Sequence, residues 1–364
     1  MTDRVFNFSP GPAVLPRSVL EHAQQELLAL PGVGMSILEI SHRSKAFDAI
    51  LAEATQGLRD LLAVPEGYHI LFLQGGASLQ FYMVALNFLR SSGKRADYVL
   101  TGAWGKKALE EARREGETHV AWDGKATNYD RLPKTADLKF TTNAAYVHYT
   151  DNETIQGVEF PTVPEIGNAP LVCDASSNFL SRPVPINRLG LLYACAQKNA
   201  GPSGVTVVII RDEVMQRAAA NLPPMLDYRQ YAANESRYNT PPTFGIYVVM
   251  LICRWLKSEI GGLAKMQELN KSKATLLYDV LDKHPKFFQG HAQPDCRSLM
   301  NVTFRLPNEE LEKAFLEGAK QHKLIDLKGH RSVGGIRASI YNAMPREGVE
   351  TLRQYMLDFA KQRG

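Results

Sequence analysis

Between Tyr68 and Ile210, short apolar runs alternate with amphipathic stretches, and this rhythm restricts the fold more than any other feature of the chain. Residues 70–73, 98–100, 145–149, 171–173, 191–194 and 205–210 read as strands. Gly75-Gly-Ala-Ser78 leads into a helix over 79–89, and Gly102-Ala-Trp-Gly105 into one over 106–114. Strands separated by helices pair through crossovers, which gives an α/β fold with a mostly parallel sheet covered on both faces. Ligands in such folds bind beyond the carboxyl ends of the strands, so the residues that follow each run are the ones to inspect.

The flanking segments read differently. Helices are expected over 17–30 and 47–62 on the first side of the sheet sequence. On the other side, a polar, Pro-rich stretch from 221 to 243 reads as a long functional loop. Helices over 245–257 and 263–281 follow. The remainder is α+β, with strands at 299–305 and 335–340 and helices at 309–322 and 348–362. We expect a large domain over 16–260 and a smaller one formed by 261–364, with residues 1–15 packed back onto it. A chain of 364 residues has the length for two such cores.

Composition excludes more than it assigns. With 45% hydrophobic and 22% charged residues the chain is an ordinary globular protein. A net charge of +4 without a basic stripe calls for no nucleic acid. The four cysteines show no CxxC spacing and read as reduced core thiols, and the nine histidines show no metal-ligand spacing, so no metal site is expected. No Walker A loop, GxGxxG fingerprint or GxSxG elbow occurs. Without a signal-peptide core or a run of membrane-spanning length, a soluble cytoplasmic protein is expected.

Chemistry concentrates at two strand ends. Tyr193-Ala-Cys-Ala-Gln-Lys-Asn-Ala-Gly-Pro-Ser-Gly204 passes from a strand through a lysine into a Gly/Pro turn. Two buried strands joined by that turn would hold Lys198 in an apolar setting, where an ammonium is costly to desolvate and a neutral amine is favoured. Such an amine is what Schiff-base chemistry requires; a lysine snorkelling out of a hairpin is the competing reading. Upstream, Pro170-Leu-Val-Cys-Asp-Ala-Ser-Ser177 ends a strand on Asp174. Pyridoxal 5'-phosphate would unite the two, because an aspartate pairs with its protonated ring nitrogen while a lysine holds its aldehyde. A plain N-cap is the alternative for Asp174.

Longer blocks bear on the choice. Asn7-Phe-Ser-Pro-Gly-Pro-Ala13, Ser41-His-Arg43, Gln74-Gly-Gly-Ala-Ser78, His148-Tyr-Thr-Asp-Asn-Glu-Thr154, Ala196-Gln-Lys-Asn199, Tyr238-Asn-Thr-Pro-Pro-Thr243, Lys328-Gly-His-Arg331 and Gly335-Ile-Arg-Ala-Ser-Ile-Tyr-Asn-Ala-Met-Pro345 together resemble the phosphoserine aminotransferase family. They span the chain in order. The resemblance implies a homodimer of fold type I with a seven-stranded-type sheet. It also implies interconversion of 3-phosphohydroxypyruvate plus glutamate with O-phosphoserine plus 2-oxoglutarate in serine biosynthesis. Phosphohydroxythreonine, from vitamin B6 synthesis, is a further candidate substrate.

Residue roles follow from the same resemblance. Lys198 anchors the cofactor and moves the proton, and Asp174 holds the ring nitrogen. Ala77 and Ser78 offer amides to the cofactor phosphate at a helix start; relatives carry Gly-Arg at this pair, so backbone donation is what carries over. Trp104 stacks on the ring, Thr154 hydrogen-bonds the cofactor, and Gln197 contacts its phosphate end. Asn239 and Thr240 reach the cofactor phosphate of the neighbouring subunit. Arg43, His330 and Arg331 receive the substrate phosphate, Arg337 its α-carboxylate, and Ser9 lines that end, with Pro10 standing where a small residue is expected. Taken singly, Trp104 also reads as a ring packed under a loop, Thr154 as a turn hydroxyl and the arginines as surface cations. A desulfurase or lyase of the same fold would instead need a mobile thiol, for which only Cys296 lies in loop-like sequence. A non-enzymatic scaffold would not need the Asp174/Lys198 pair.

Overall fold

The structure, a computed structural model, describes residues 4–331 and 333–364. A two-residue strand, β1 (Phe6–Asn7), opens the chain, and β2 (Tyr68–Leu73), β3 (Ala96–Leu100), β4 (Thr118–Asp123) and β5 (Val147–Thr150) follow. After the short hairpin β6 (Asn152–Glu153) and β7 (Val158–Glu159) come β8 (Leu171–Asp174), β9 (Leu191–Cys195) and β10 (Thr206–Arg211). Late strands are β11 (Gln289–Gly290), β12 (Asn301–Arg305), β13 (Leu324–Ile325) and β14 (Ile336–Ser339). The helices in chain order are α1 (Arg17–Glu26), α2 (Lys45–Leu62), α3 (Gly76–Phe88), α4 (Ala103–Ala112), α5 (Asp212–Met215), α6 (Tyr228–Ala233), α7 (Thr243–Trp255), α8 (Leu263–Lys283), α9 (Glu309–Gln321) and α10 (Arg346–Arg363).

Seven strands form the central sheet in the order β2-β10-β9-β8-β5-β3-β4. Neighbours from β9 to β4 are parallel, and only β10 runs against both of its partners. The turn that carries Lys198 explains the exception, since a short connection joins only antiparallel strands. Both faces of the sheet are buried, with alternate residues sorted between them. Val207 and Ile209 of β10 face the cluster that contains α1, α2 and α7, while Val208 and Ile210 face the cluster with α3 and α4. That double burial is why these strands read as continuous apolar runs.

A third apolar cluster combines Phe8 with residues between Ala274 and Phe359. Phe288, Phe304 and Phe315 meet edge to face in it, each ring contributing roughly 2–3 kcal/mol of burial. It lies under the three-stranded sheet β11-β12-β14. β1 pairs with β13, Phe6 opposite Leu324, so the N-terminal coil is fastened to the C-terminal part of the chain.

Several elements differ from the sequence reading. β4 escaped it because it is a half-exposed edge strand, and Thr118 and His119 dilute its apolar signal. The 221–243 stretch is not one open loop: it holds a 3-10 turn (Pro224–Leu226) and α6, whose Tyr228 and Tyr231 are buried. α1 stops at Glu26, before the turn that contains Gly32 and Gly34. α4 starts at Ala103, which puts Trp104 inside its first turn rather than ahead of it. Among the described residues no helix is long and apolar enough to cross a membrane.

Candidate active site

The carboxyl ends of β2, β3, β5, β8 and β9 open on a cavity of about 430 Å³, which suits a small cofactor. A larger depression of about 1110 Å³ lies elsewhere, lined by Arg43, Asp48, Arg59 and Tyr238 among others. The smaller one holds the strand-end groups whose ionisation is perturbed, which is what marks an active site.

Lys198 follows β9 in the hairpin turn, as its sequence context requires. It is half-buried rather than sealed in apolar surroundings. Its Nζ donates to Thr154 Oγ1 at 2.8 Å and stands 5.7 Å from the centroid of the Trp104 ring. Asp174 ends β8 and is 3% exposed. Its Oδ1 accepts from the Ser176 amide at 2.9 Å. Burial raises the Asp174 pKa, against the Ser176 donors and the positive charge of Lys198, which lower it. An aspartate capping only a tight turn would not need that depth.

β2 ends in Gln74-Gly75-Gly76 and passes into α3. Gly75 has φ 86°, and a Cβ there would lie 2.5 Å from Leu79 Cδ2, so no other residue fits the turn. The first amides of α3, including those of Ala77 and Ser78, therefore stand at the cavity with the positive end of the helix dipole. Trp104 contributes a buried Nε1–H that has no partner among the described residues. Gln197 lines the same cavity. From the C-terminal part come His330 and Arg337. The Arg337 guanidinium, 6% exposed, also carries an unpartnered Nε, and burial lowers its pKa. Burial, then the charges of Arg337, Arg331 and Lys107, depress His330. This end of the cavity is thus electropositive and prepared for an anion.

Other expected site residues lie apart. Ser9 turns onto its own loop, its amide bonded to Asn7 and its Oγ to the Gly11 amide, while Pro10 and Gly11 line the cavity. Arg43 is exposed in the separate depression, and Arg331 is exposed in the loop before β14. Asn239 and Thr240 sit behind the β2–α3 turn: Asn239 Nδ2 donates to Gln74 Oε1 and Gln74 Nε2 to the Thr240 carbonyl, both at 3.3 Å. Within one chain these residues do not reach the cavity. Cys296 is buried, and desolvation raises its thiol to about 12, so it is not the mobile nucleophile a desulfurase requires.

The sequence reading passed over the polar residues around Thr154. Glu153, fully buried, is raised to about 7 by desolvation and accepts from the amides of Trp104 and Gly105. Asp151 pairs with Arg182 at 2.8 Å and also takes a bond from Asn178. The signal was present as Thr150-Asp-Asn-Glu-Thr154, a polar run directly after a buried strand.

These features suit an aminotransferase, and the chain belongs to the class-V aminotransferase family, whose model matches residues 5–352. Its relatives are narrower than the class. It is 56% identical over 359 residues to the phosphoserine aminotransferase of Rhodopirellula baltica, covering 98% of this chain and 96% of that one. The structure of the phosphoserine aminotransferase from Bacillus circulans subsp. alkalophilus matches all of both chains, with a TM-score of 0.97 at 50% identity. The pyridoxal-phosphate-bound phosphoserine aminotransferase of Trichomonas vaginalis matches 97% of this chain and 100% of its own, with a TM-score of 0.92 at 43% identity.

Proposed function

We propose that this chain is a pyridoxal-phosphate-dependent phosphoserine:2-oxoglutarate aminotransferase that supplies O-phosphoserine to serine biosynthesis. One observation carries the reading: a buried carboxylate, Asp174, and an amine, Lys198, face one cavity beside the indole of Trp104. The residues fit the cofactor. Asp174 is a buried acid without a cationic hydrogen-bond partner, Trp104 Nε1 is an unpaired donor, and the α3 amides suit a phosphate. When bound, pyridoxal phosphate supplies an aldehyde that takes the amino group and a ring that draws electrons from Cα.

The protein's part is binding, orientation and proton transfer. Asp174 keeps a proton on the ring nitrogen by pairing with it in a dry site. Lys198 would hold the cofactor through its aldehyde, and its free amine would take the proton from the substrate's Cα and return one in the reverse sense. Thr154 orients that amine. Trp104 covers one face of the ring and excludes water, while Ala77, Ser78 and Gln197 hold the phosphate end. Arg337 receives the α-carboxylate as a planar fork. His330 and Arg331 bind the distal phosphate, joined by Arg43 with Asn239 and Thr240 when two chains meet in a homodimer of shared sites. Ser9 lines the substrate end. The domains divide at 16–260 and at 1–15 with 261–364, and the enzyme works in the cytoplasm. Borohydride reduction of the cofactor-loaded protein, followed by peptide mapping, tests the reading. The label is expected on Lys198, and Lys198→Ala should bind cofactor without a covalent link and lose turnover; a label on any other lysine overturns the assignment.

A further inference from the structure

α4 begins without a cap of its own. Gly102, at its N-cap, has no side chain, yet the helix's first amides are not left to solvent. A carboxylate some fifty residues away satisfies them. Glu153 Oε2 accepts from the Trp104 amide at 3.0 Å and Oε1 from the Gly105 amide at 2.9 Å. Gln156 Oε1 adds a longer contact to the Ala103 amide at 3.4 Å. The fit is close: a Cβ on Gly102 would lie 2.5 Å from Glu153 Cδ and 2.6 Å from Gln156 Oε1, so glycine is the residue that lets the carboxylate in.

Glu153 is also the neighbour of Thr154, the acceptor of the Lys198 amine. One rigid peptide unit, with its Cα atoms about 3.8 Å apart, therefore joins the group that holds the indole's backbone to the group that holds the lysine. β6 is in turn fixed by pairing with β7, Glu153 opposite Val158. We propose that Glu153 is a positioning residue: its carboxylate grips the two amides of the turn that bears Trp104 and sets the indole in register with Lys198. The geometry stands without any ligand, and its consequence for turnover rests on the cofactor reading given under Proposed function. Both oxygens accept N–H donors, an arrangement that suits a carboxylate with its two equivalent acceptors. Glutamine, of the same size, offers one acceptor and presents an NH₂ group to the other amide.

A double-mutant cycle on the holoenzyme tests this. Glu153→Gln should retain stoichiometric cofactor absorbance and lower kcat about 10–100-fold, the scale of a small misplacement in the site, with KM within about twofold. It should also change the circular dichroism of the cofactor's visible band, as Trp104→Phe should. The double variant should be no worse than Trp104→Phe alone, because Glu153 acts through the indole. Gly102→Ala, which pushes the same carboxylate aside, should reproduce the spectral change and serves as the probe if Glu153→Gln does not fold. Additive losses, or a fall in kcat with unchanged dichroism, would overturn the assignment. A wild-type protein that develops no visible band on loading would sink the cofactor reading instead. The near-ultraviolet tryptophan signal, assigned with Trp104→Phe, would still report whether Glu153→Gln moves the indole.

Discussion

Removing one buried cation should damage this protein from a distance. Lys273, in the middle of α8, is 3% exposed, and four main-chain carbonyls converge on its Nζ. Tyr341 O lies at 2.8 Å, Ile340 O at 3.1 Å, and Asn342 O and Met344 O at 3.2 Å. Burial pushes the ammonium down to about 7. The carbonyls pull the other way, because a neutral amine donates only two N–H bonds and turns its lone pair onto an oxygen. The caged turn reaches the active site: the Asn342 amide donates to Asn199 Oδ1 at 2.9 Å, beside Lys198, and Tyr341 OH to the Pro10 carbonyl at 2.8 Å. In Lys273→Met the Tyr341 carbonyl keeps the Met344 amide, and the other three lose the ammonium. At about 1 kcal/mol for each orphaned carbonyl, the low end of the usual range, the loss is roughly 3 kcal/mol.

The assay is the urea midpoint by far-ultraviolet circular dichroism, together with turnover at a fixed protein concentration. Lys273→Ala adds a sharper arm. It leaves a channel ending in the carbonyl cage, so propylammonium should restore stability in proportion to its occupancy of the folded state. Tetramethylammonium, equally charged but without N–H donors, should not. Buried ions can be replaced by apolar isosteres at no cost, so it is the three orphaned carbonyls and not burial alone that set the expected loss. A Lys273→Met protein as stable as wild type, or equal rescue by both cations, would refute the reasoning.

Two further outcomes concern the site itself. Asp174→Asn should retain cofactor and lose turnover about 10³-fold, the equivalent of roughly 4 kcal/mol for a buried charge pair; near-normal kcat would mean that another group holds the ring nitrogen. Co-expressing Lys198→Ala with a chain carrying bulky replacements at Asn239 and Thr240 should return about a quarter of wild-type activity, since half of randomly paired dimers are hybrids with one intact site. Inactive, doubly tagged hybrids would show that the pair serves its own chain.

What the sequence made legible was the chemistry at strand ends. Lys198, Asp174 and the Gly75-Gly76 turn could be placed because each interrupts a short apolar run, and a doubly covered sheet fixes where such interruptions point. Trp104 was placed to within a turn, its helix starting three residues earlier than expected. Residues whose role depends on distant partners were not legible. Glu153 and Asp151 look like any loop carboxylates until the fold brings Gly105 and Arg182 to them. Lys273 occupies an amphipathic helix with charged neighbours and reads as a surface lysine, yet its carbonyls arrive from about seventy residues away. Cys296 lies in loop-like sequence because of its Pro-Asp context, whereas a 3-10 turn buries it.

The same distinction separates the strand-end side of the cavity from its seam. Lys198 and Asp174 follow or end sheet strands and Trp104 opens α4, while His330 and Arg337 come from the C-terminal layer, so the cavity lies where the apolar clusters of the sheet layer meet the C-terminal one. The bonds that close this junction are made largely by neutral groups. Asn152 donates to Asn301 Oδ1 at 2.8 Å, Thr303 Oγ1 to the Gln156 carbonyl at 2.8 Å, and Asn342 Nδ2 to the Leu180 carbonyl at 2.9 Å. Ion pairs here would weaken with salt, and carboxylates among them would pull on the Arg337 guanidinium that lines the cavity. Amide and hydroxyl bonds, each worth about 1 kcal/mol net, hold the layers together without adding charge to the electropositive end. Nothing in the spacing of an Asn or a Thr announces such a partner. A seam built this way is therefore the part of the fold that sequence reasoning reaches last, although it is what brings Arg337 into the same cavity as Lys198.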